Sequence, residues 1–197
     1  MKKVQPSDVR NIHEYEKIRE RERARIIDLK RRRRVDVGRH LSLLFENRET
    51  VLFQIQEMCR VERIVDDAKI RDEVDVYNEL IPGERTLSAT LFIEVGDAAR
   101  IKEILDRFMG IDAGDHLWFQ IGGAHAVPGR FEAGHSDAEK GKISAVHFVK
   151  FGFTPEQVRA FRDSEVFLVV DHPAERARVR LPDETKAALL EDLSSEG

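Results

Sequence analysis

Between Phe45 and Ile64 the chain changes its period, and that change limits what it can fold into. Leu41, Leu43 and Phe45 alternate with His40, Ser42 and Glu46, the pattern of a half-exposed strand. From Val51 onward the apolar residues fall instead at three- and four-residue spacing: Val51, Leu52, Ile55, Met58, Cys59 and Val65. That is one stripe of an amphipathic helix. A strand must therefore turn sharply into a helix and bury a face of each. Glu62 falls within the same stripe, four residues after Met58, so the spacing predicts a carboxylate aimed at a core.

The rest of the chain repeats the mixture. Leu87, Ala89, Leu91, Ile93 and Val95 alternate strictly, and further strands are expected at 117–121, 124–127, 143–153, 165–171 and 176–181. Ile81-Pro82-Gly83 breaks the helical region before them, and Pro182 opens a closing helix over 182–193. The segment 132–142 is polar and contains glycine, which predicts a hairpin loop. Strands in succession with few helices between them imply an α+β fold: a largely antiparallel sheet of six or seven strands with helices on one side. The first 36 residues are expected to form a long charged helix, capped by Ser7 or Asp8 and docked on a single domain over 37–197. In it Ile12, Tyr15, Ile18, Ile26 and Leu29 form only a broken stripe within a run of Arg and Glu.

Charged residues make up 36% of the chain and no run of eighteen apolar residues occurs, which excludes a spanning helix. The N-terminus lacks the apolar core of a secretory signal and there is one cysteine, so a cytoplasmic protein without disulfides is expected. The net charge of −4 argues against a general polyanion-binding role. It conceals the basic run Lys30, Arg31, Arg32, Arg33 and Arg34. Five such groups on phosphates would give a log–log salt slope of about −4 to −5, whereas the simpler reading is a solvated helix end favoured by the helix dipole.

Candidate chemistry centres on Glu62. A buried ionised carboxylate requires an arginine, a metal or a proton. One reading is a structural ion pair with Arg48, Arg60 or Arg63. The other is a metal ligand or general base assisted by Glu57, Glu94 or His147. No Glu-x-x-His pair lies on either long helix, which argues against a carboxylate-bridged di-iron site. The histidines at 116, 125, 135, 147 and 172 show no metal-ligand spacing, and only strand pairing would bring His125 and His147 together. Gln54, Gln56 and Glu57 form a polar flank of the central helix, either solvated or orienting a ligand along with Arg48 and Arg60. Cys59 reads as a small buried hydrophobe.

The stretch Phe45-Glu46-Asn47-Arg48, with Thr50-Val51 and Phe53-Gln54-Ile55-Gln56-Glu57-Met58 after it, resembles a bacterial family classed as a domain of unknown function. Tyr77-Asn78-Glu79-Leu80-Ile81-Pro82-Gly83, Ser144 to Phe151 and Asp171-His172-Pro173 extend the resemblance over nearly the whole chain. The resemblance implies a gene neighbourhood with rubrerythrin-like proteins and iron–sulfur oxidoreductases of the heterodisulfide-reductase type. The resemblance thus implies a role in peroxide or redox defence, and it carries no catalytic residues over. The leading expectation is a cofactor-free accessory protein that binds a rubrerythrin-like or iron–sulfur partner through its charged helices, with a homodimer as a further expectation. The alternative is a metal-dependent enzyme with a carboxylate–histidine site at Glu62, Glu57, Glu94 and His147. A weaker one is nucleic-acid binding through residues 30–34.

Overall fold

The computed structural model describes residues 1–132, 136–137 and 142–194. Helix α1 (Ile12–Arg31) leads into β1 (Arg34–Val37) and β2 (Leu41–Phe45). Helices α2 (Arg48–Val61) and α3 (Asp67–Asn78) follow, then β3 (Thr86–Ile93) and α4 (Ile101–Arg107). The chain continues through β4 (Leu117–Ile121), β5 (His125–Phe131), β6 (Ser136–Asp137), β7 (Lys142–Ile143) and β8 (Val146–Gly152). It ends with α5 (Pro155–Asp163), β9 (Val166–His172), β10 (Glu175–Arg180) and α6 (Asp183–Ser194). The N-cap of α1 is Asn11, whose side chain accepts from the Glu14 amide; Ser7 and Asp8 belong to a separate 3-10 turn. Most of the loop expected over 132–142, with His135, lies outside the described residues.

Eight strands form one antiparallel sheet in the order β1-β2-β3-β8-β5-β4-β9-β10, and β6 pairs with β7 as a separate ribbon. The sheet curls until β1 lies against β9 and β10, giving a nearly closed barrel. At that seam Gly38 adopts a left-handed φ of 76° and a Cβ there would stand 2.6 Å from the Glu175 side chain. Glycine is favoured here by the left-handed conformation, and any larger residue would also have to displace the Glu175 side chain. Inward-facing Leu43, Phe45, Leu87, Leu91, Phe119, Val149, Phe151 and Leu168 are all fully buried. Phe119 sits among Phe45, Phe151, Phe153 and Phe161, with ring centroids 4.7–5.9 Å away. Gly129 leaves room for this packing: a Cβ on it would lie 2.8 Å from Val149.

Two expectations change here. The strands number eight plus a ribbon, not six or seven, and helices are not confined to one side. Helices α1 to α3 cover the outer face, where Val4, Val51, Ile55, Cys59, Val74, Leu80 and Ile81 make a second core. Ile104 and Phe108 around α4, Phe161 of α5, and Leu189 and Leu193 of α6 join the inner core instead. A rolled sheet leaves open ends that need apolar plugs, and alternation reads the same in an open sheet as in a closed one. The two-sided cover also explains why every residue of β2 is buried where a half-exposed strand was expected. No helix among the described residues is long and apolar enough to cross a membrane.

Candidate functional site

Helix α2 begins on a reciprocal cap. The Asn47 side chain accepts from the Thr50 amide at 3.0 Å, and the Thr50 hydroxyl accepts from the Asn47 amide at 2.9 Å. This satisfies donors that a helix start leaves orphaned. It also fixes Glu46, the residue just before the cap, whose amide continues the β3 ladder to the Ser88 carbonyl. Following the alternation of Ser42 and Leu44, the Glu46 side chain points to the outer sheet face, beneath α2 and α3. It is 8% exposed. The Thr90 hydroxyl donates to one carboxylate oxygen at 2.7 Å and the Thr50 hydroxyl to the other at 2.5 Å. Among the described residues no Arg, Lys or His forms an ion pair with it, although Arg33 donates to its backbone carbonyl.

Beside Glu46 is a cavity of about 200 Å³ whose walls include Lys30, Gln54, Tyr77, Phe92, Val146 and Phe148. Burial raises the pKa of Tyr77, and the neighbouring Gln54 amide pulls it the other way. The Lys30 ammonium lies over the Phe53 ring, 5.7 Å from its centroid. Ser88, opposite Glu46 on β3, has a buried hydroxyl without a hydrogen-bond partner among the described residues. A larger hollow of about 390 Å³ opens at Cys59 between residues 6–12 and the α2–α3 turn. It contains no buried charge, and burial raises the Cys59 thiol pKa, which disfavours the reactive thiolate.

The four catalytic candidates, Glu62, Glu57, Glu94 and His147, do not share a site. Glu62 does not face a core: α2 ends at Val61, and Glu62 is its exposed C-cap residue. Arg63 takes a left-handed φ of 55°, with Ile64 N–H donating to Cys59 O and Arg63 N–H to Arg60 O. This Schellman closure ends the helix immediately after Glu62, which is left in solvent at the open end of the last turn rather than covered by a continuing helix. Glu62→Gln is accordingly expected to shift the free energy of unfolding by no more than about 0.5 kcal/mol, checked by urea denaturation.

Glu57 lies between α1 and α2, accepting from Tyr15 Oη at 2.6 Å, Arg19 Nε at 2.8 Å, Arg19 Nη2 at 3.0 Å and Arg60 Nη2 at 3.2 Å. Glu94, at the far end of β3, is half exposed and pairs with Ser42 and Arg34; these hydrogen bonds lower its pKa. His147 is fully buried inside the barrel, opposite Leu91 in register, with Nε2 on the Ser144 carbonyl and Nδ1 3.6 Å from Asp112. Glu94 belongs to the opposite face of β3, as its bond to Ser42 requires. The strands bring His116 and His172 together, at a centroid separation of 4.8 Å, while His125 pairs with Ile121. Burial and then the neighbouring His116 lower the pKa of His172. Among the described residues no group of three or more His, Cys, Asp or Glu is arranged to hold a metal ion.

Arg48 pairs with Asp8 at 2.6 Å, and Gln56 is buried with its amide bonded both ways to the Arg10 backbone at 2.8 Å. Only Gln54 of the polar flank reaches the cavity. The basic run is not one patch, because α1 stops at Arg31 and β1 starts at Arg34. Arg31 and Arg32 pair with Asp28, Arg33 is buried on Asp192, and Arg34 holds Glu94. Glu46 is the residue that sequence reading missed. It sits on the alternation as a solvent-side position, and its burial depends on Thr50 and Thr90, one of them 44 residues away.

An eight-stranded antiparallel barrel with a helical layer clamped over a buried carboxylate is therefore the frame that this chain provides. It belongs to the family described as "Protein of unknown function (DUF3501)", whose model matches residues 3–193. A crystal structure described as a novel protein of unknown function from Burkholderia pseudomallei K96243 is 30% identical. It has a TM-score of 0.90, with 98% of this chain and 100% of that chain covered. No curated protein is significantly similar to this chain.

Proposed function

We propose that this protein is an accessory binding protein of a peroxide- or redox-stress module, and that its working part is the cleft between the α2–α3 layer and the outer sheet face. The observation that carries the binding half is Glu46: a carboxylate almost out of water, held by two hydroxyls, at the wall of a cavity with mixed polar and apolar lining. Two hydroxyl donors and a nearby helix N-terminus converge on it, and the cavity beside it leaves its remaining acceptor positions open to a ligand. Convergent polar groups on an otherwise apolar hollow are the usual form of a ligand site.

The redox half rests on the family resemblance, which associates such proteins with rubrerythrin-like and iron–sulfur oxidoreductase neighbours in a cytoplasmic setting. The exposed Lys17, Glu20, Arg21 and Arg23 of α1 offer a charged face for that partner, and a second copy of the chain is the other occupant. The alternative of a metal enzyme around Glu62 lacks its premise, since Glu62 is in solvent. Nucleic-acid binding through residues 30–34 meets the same difficulty, because Arg31 to Arg34 already face carboxylates. Tagged protein expressed at native level and captured after peroxide challenge is expected to retain a rubrerythrin-like or iron–sulfur protein in near-stoichiometric amount. Capture of neither would overturn the redox assignment.

A further inference from the structure

The ligand class follows from counting donors and acceptors around Glu46, and this step rests on the cleft being a binding site. An ionised carboxylate offers about four lone-pair positions, of which the Thr50 and Thr90 hydroxyls occupy two. The Thr90 hydroxyl donates its proton to Glu46 and the Thr50 hydroxyl shares its own between Glu46 and the Asn47 carbonyl at 3.1 Å, so the site presents acceptor capacity to spare. Gln54 and Tyr77 add further oxygen acceptors on the same wall. Phe92, Val146 and Phe148 supply apolar surface opposite. We propose that the cavity binds a small primary ammonium compound, its –NH₃⁺ on Glu46 and its hydrocarbon body against Phe92 and Phe148.

Three N–H donors match the three kinds of acceptor present, and the positive charge compensates the buried carboxylate. Size restricts the body. About 200 Å³ is below the roughly 300–1,000 Å³ of sites for drug-sized ligands and corresponds to about six or seven water-sized units. That fits a short branched or linear amine and excludes a nucleotide or a peptide. Lys30 is the built-in competitor. Its ammonium lines the same cavity without an ion pair among the described residues, so it is the protein's own candidate for the position that the ligand takes.

The test uses the full-length chain, isobutylammonium chloride, and isobutanol as the neutral isostere, followed by amide and side-chain chemical shifts and by calorimetry. Isobutylammonium is expected to bind at least tenfold more tightly than isobutanol, with the Gln54 side-chain amide among the shifted signals. Glu46→Gln is expected to erase that preference, and Lys30→Met to tighten amine binding several-fold. Equal binding of amine and alcohol, or weaker amine binding in Lys30→Met, would overturn the ammonium assignment while leaving the cavity a ligand site. Absence of binding by either compound to the wild-type chain would overturn both. Because the alcohol comparison is made on the unmodified protein, the test stands even if Glu46→Gln folds poorly.

Discussion

Arg33→Ala is expected to destabilise the protein by about 3–5 kcal/mol, because it removes the guanidinium that is the main charge partner of the buried Asp192. For a chain of this length that corresponds to a fall in Tm of roughly 6–20 °C, measurable by calorimetry or circular dichroism. Arg33 and Asp192 are 3% and 7% exposed at their side chains, and their pair joins the start of β1 to α6. The guanidinium also donates to the carbonyls of Phe45 and Glu46, at 2.9 and 3.3 Å. One arginine thus holds the end of β2, the last helix and the backbone under the candidate carboxylate. A lysine cannot reproduce that fork, so Arg33→Lys is expected to recover only part of the loss.

The same substitution carries a pH signature. Burial raises the pKa of Asp192 above its ordinary 3.8, with Arg33 pulling the other way. Without Arg33 the upward push is unopposed by its main partner. A carboxylate whose folded-state pKa lies above its unfolded value disfavours the fold when ionised, and that cost is relieved as pH falls through the folded pKa. The gap between wild type and Arg33→Ala is therefore expected to narrow toward acid. A gap that stays constant with pH would mean that the backbone carbonyls, not Asp192, carry the effect.

How much of this was legible in the sequence depends on the range of the interactions. Alternation over 86–95 and 117–121 identified strands because each has one face on the barrel core. The strand-to-helix turn at Phe45 was equally visible, since Asn47 and Thr50 cap it locally. What failed was whatever depended on closure or on one unusual dihedral. Glu62 looked buried on a helical wheel because Arg63, unlike a glycine, gives no warning that a helix ends with a left-handed residue. Arg33 looked like one cation among five, and only α6, 159 residues away, shows which of them is buried. Glu46 looked solvated for the same reason: the layer that covers it is made of α2 and α3, and the sequence does not say onto which sheet face they fold.

Glu57 supplies the second large effect, because α1 has few other anchors. Only Tyr15 and Ile26 of its twenty residues are buried. The Glu57 carboxylate gathers Tyr15, Arg19 and Arg60, joining α1 to α2 through groups that are themselves partly out of water. Burial pushes its pKa up, but hydrogen bonds from Arg19, Tyr15 and Arg60 outweigh this and bring it down from 4.5 to about 2. A depressed carboxylate pKa contributes stability that is complete above the unfolded value and is lost as pH falls through the folded one. Wild type is therefore expected to lose on the order of 1–3 kcal/mol between about pH 5 and pH 2 from this group, an amount absent in Glu57→Gln. At neutral pH the variant is expected to be the less stable of the two, with proteolytic cleavage appearing first in α1. Convergence of the two unfolding curves near pH 2 would assign the acid loss to this clasp. Parallel curves down to that pH would instead assign the hold on α1 to the Gln56–Arg10 backbone bonds and the Arg25–Glu49 pair, which do not depend on Glu57.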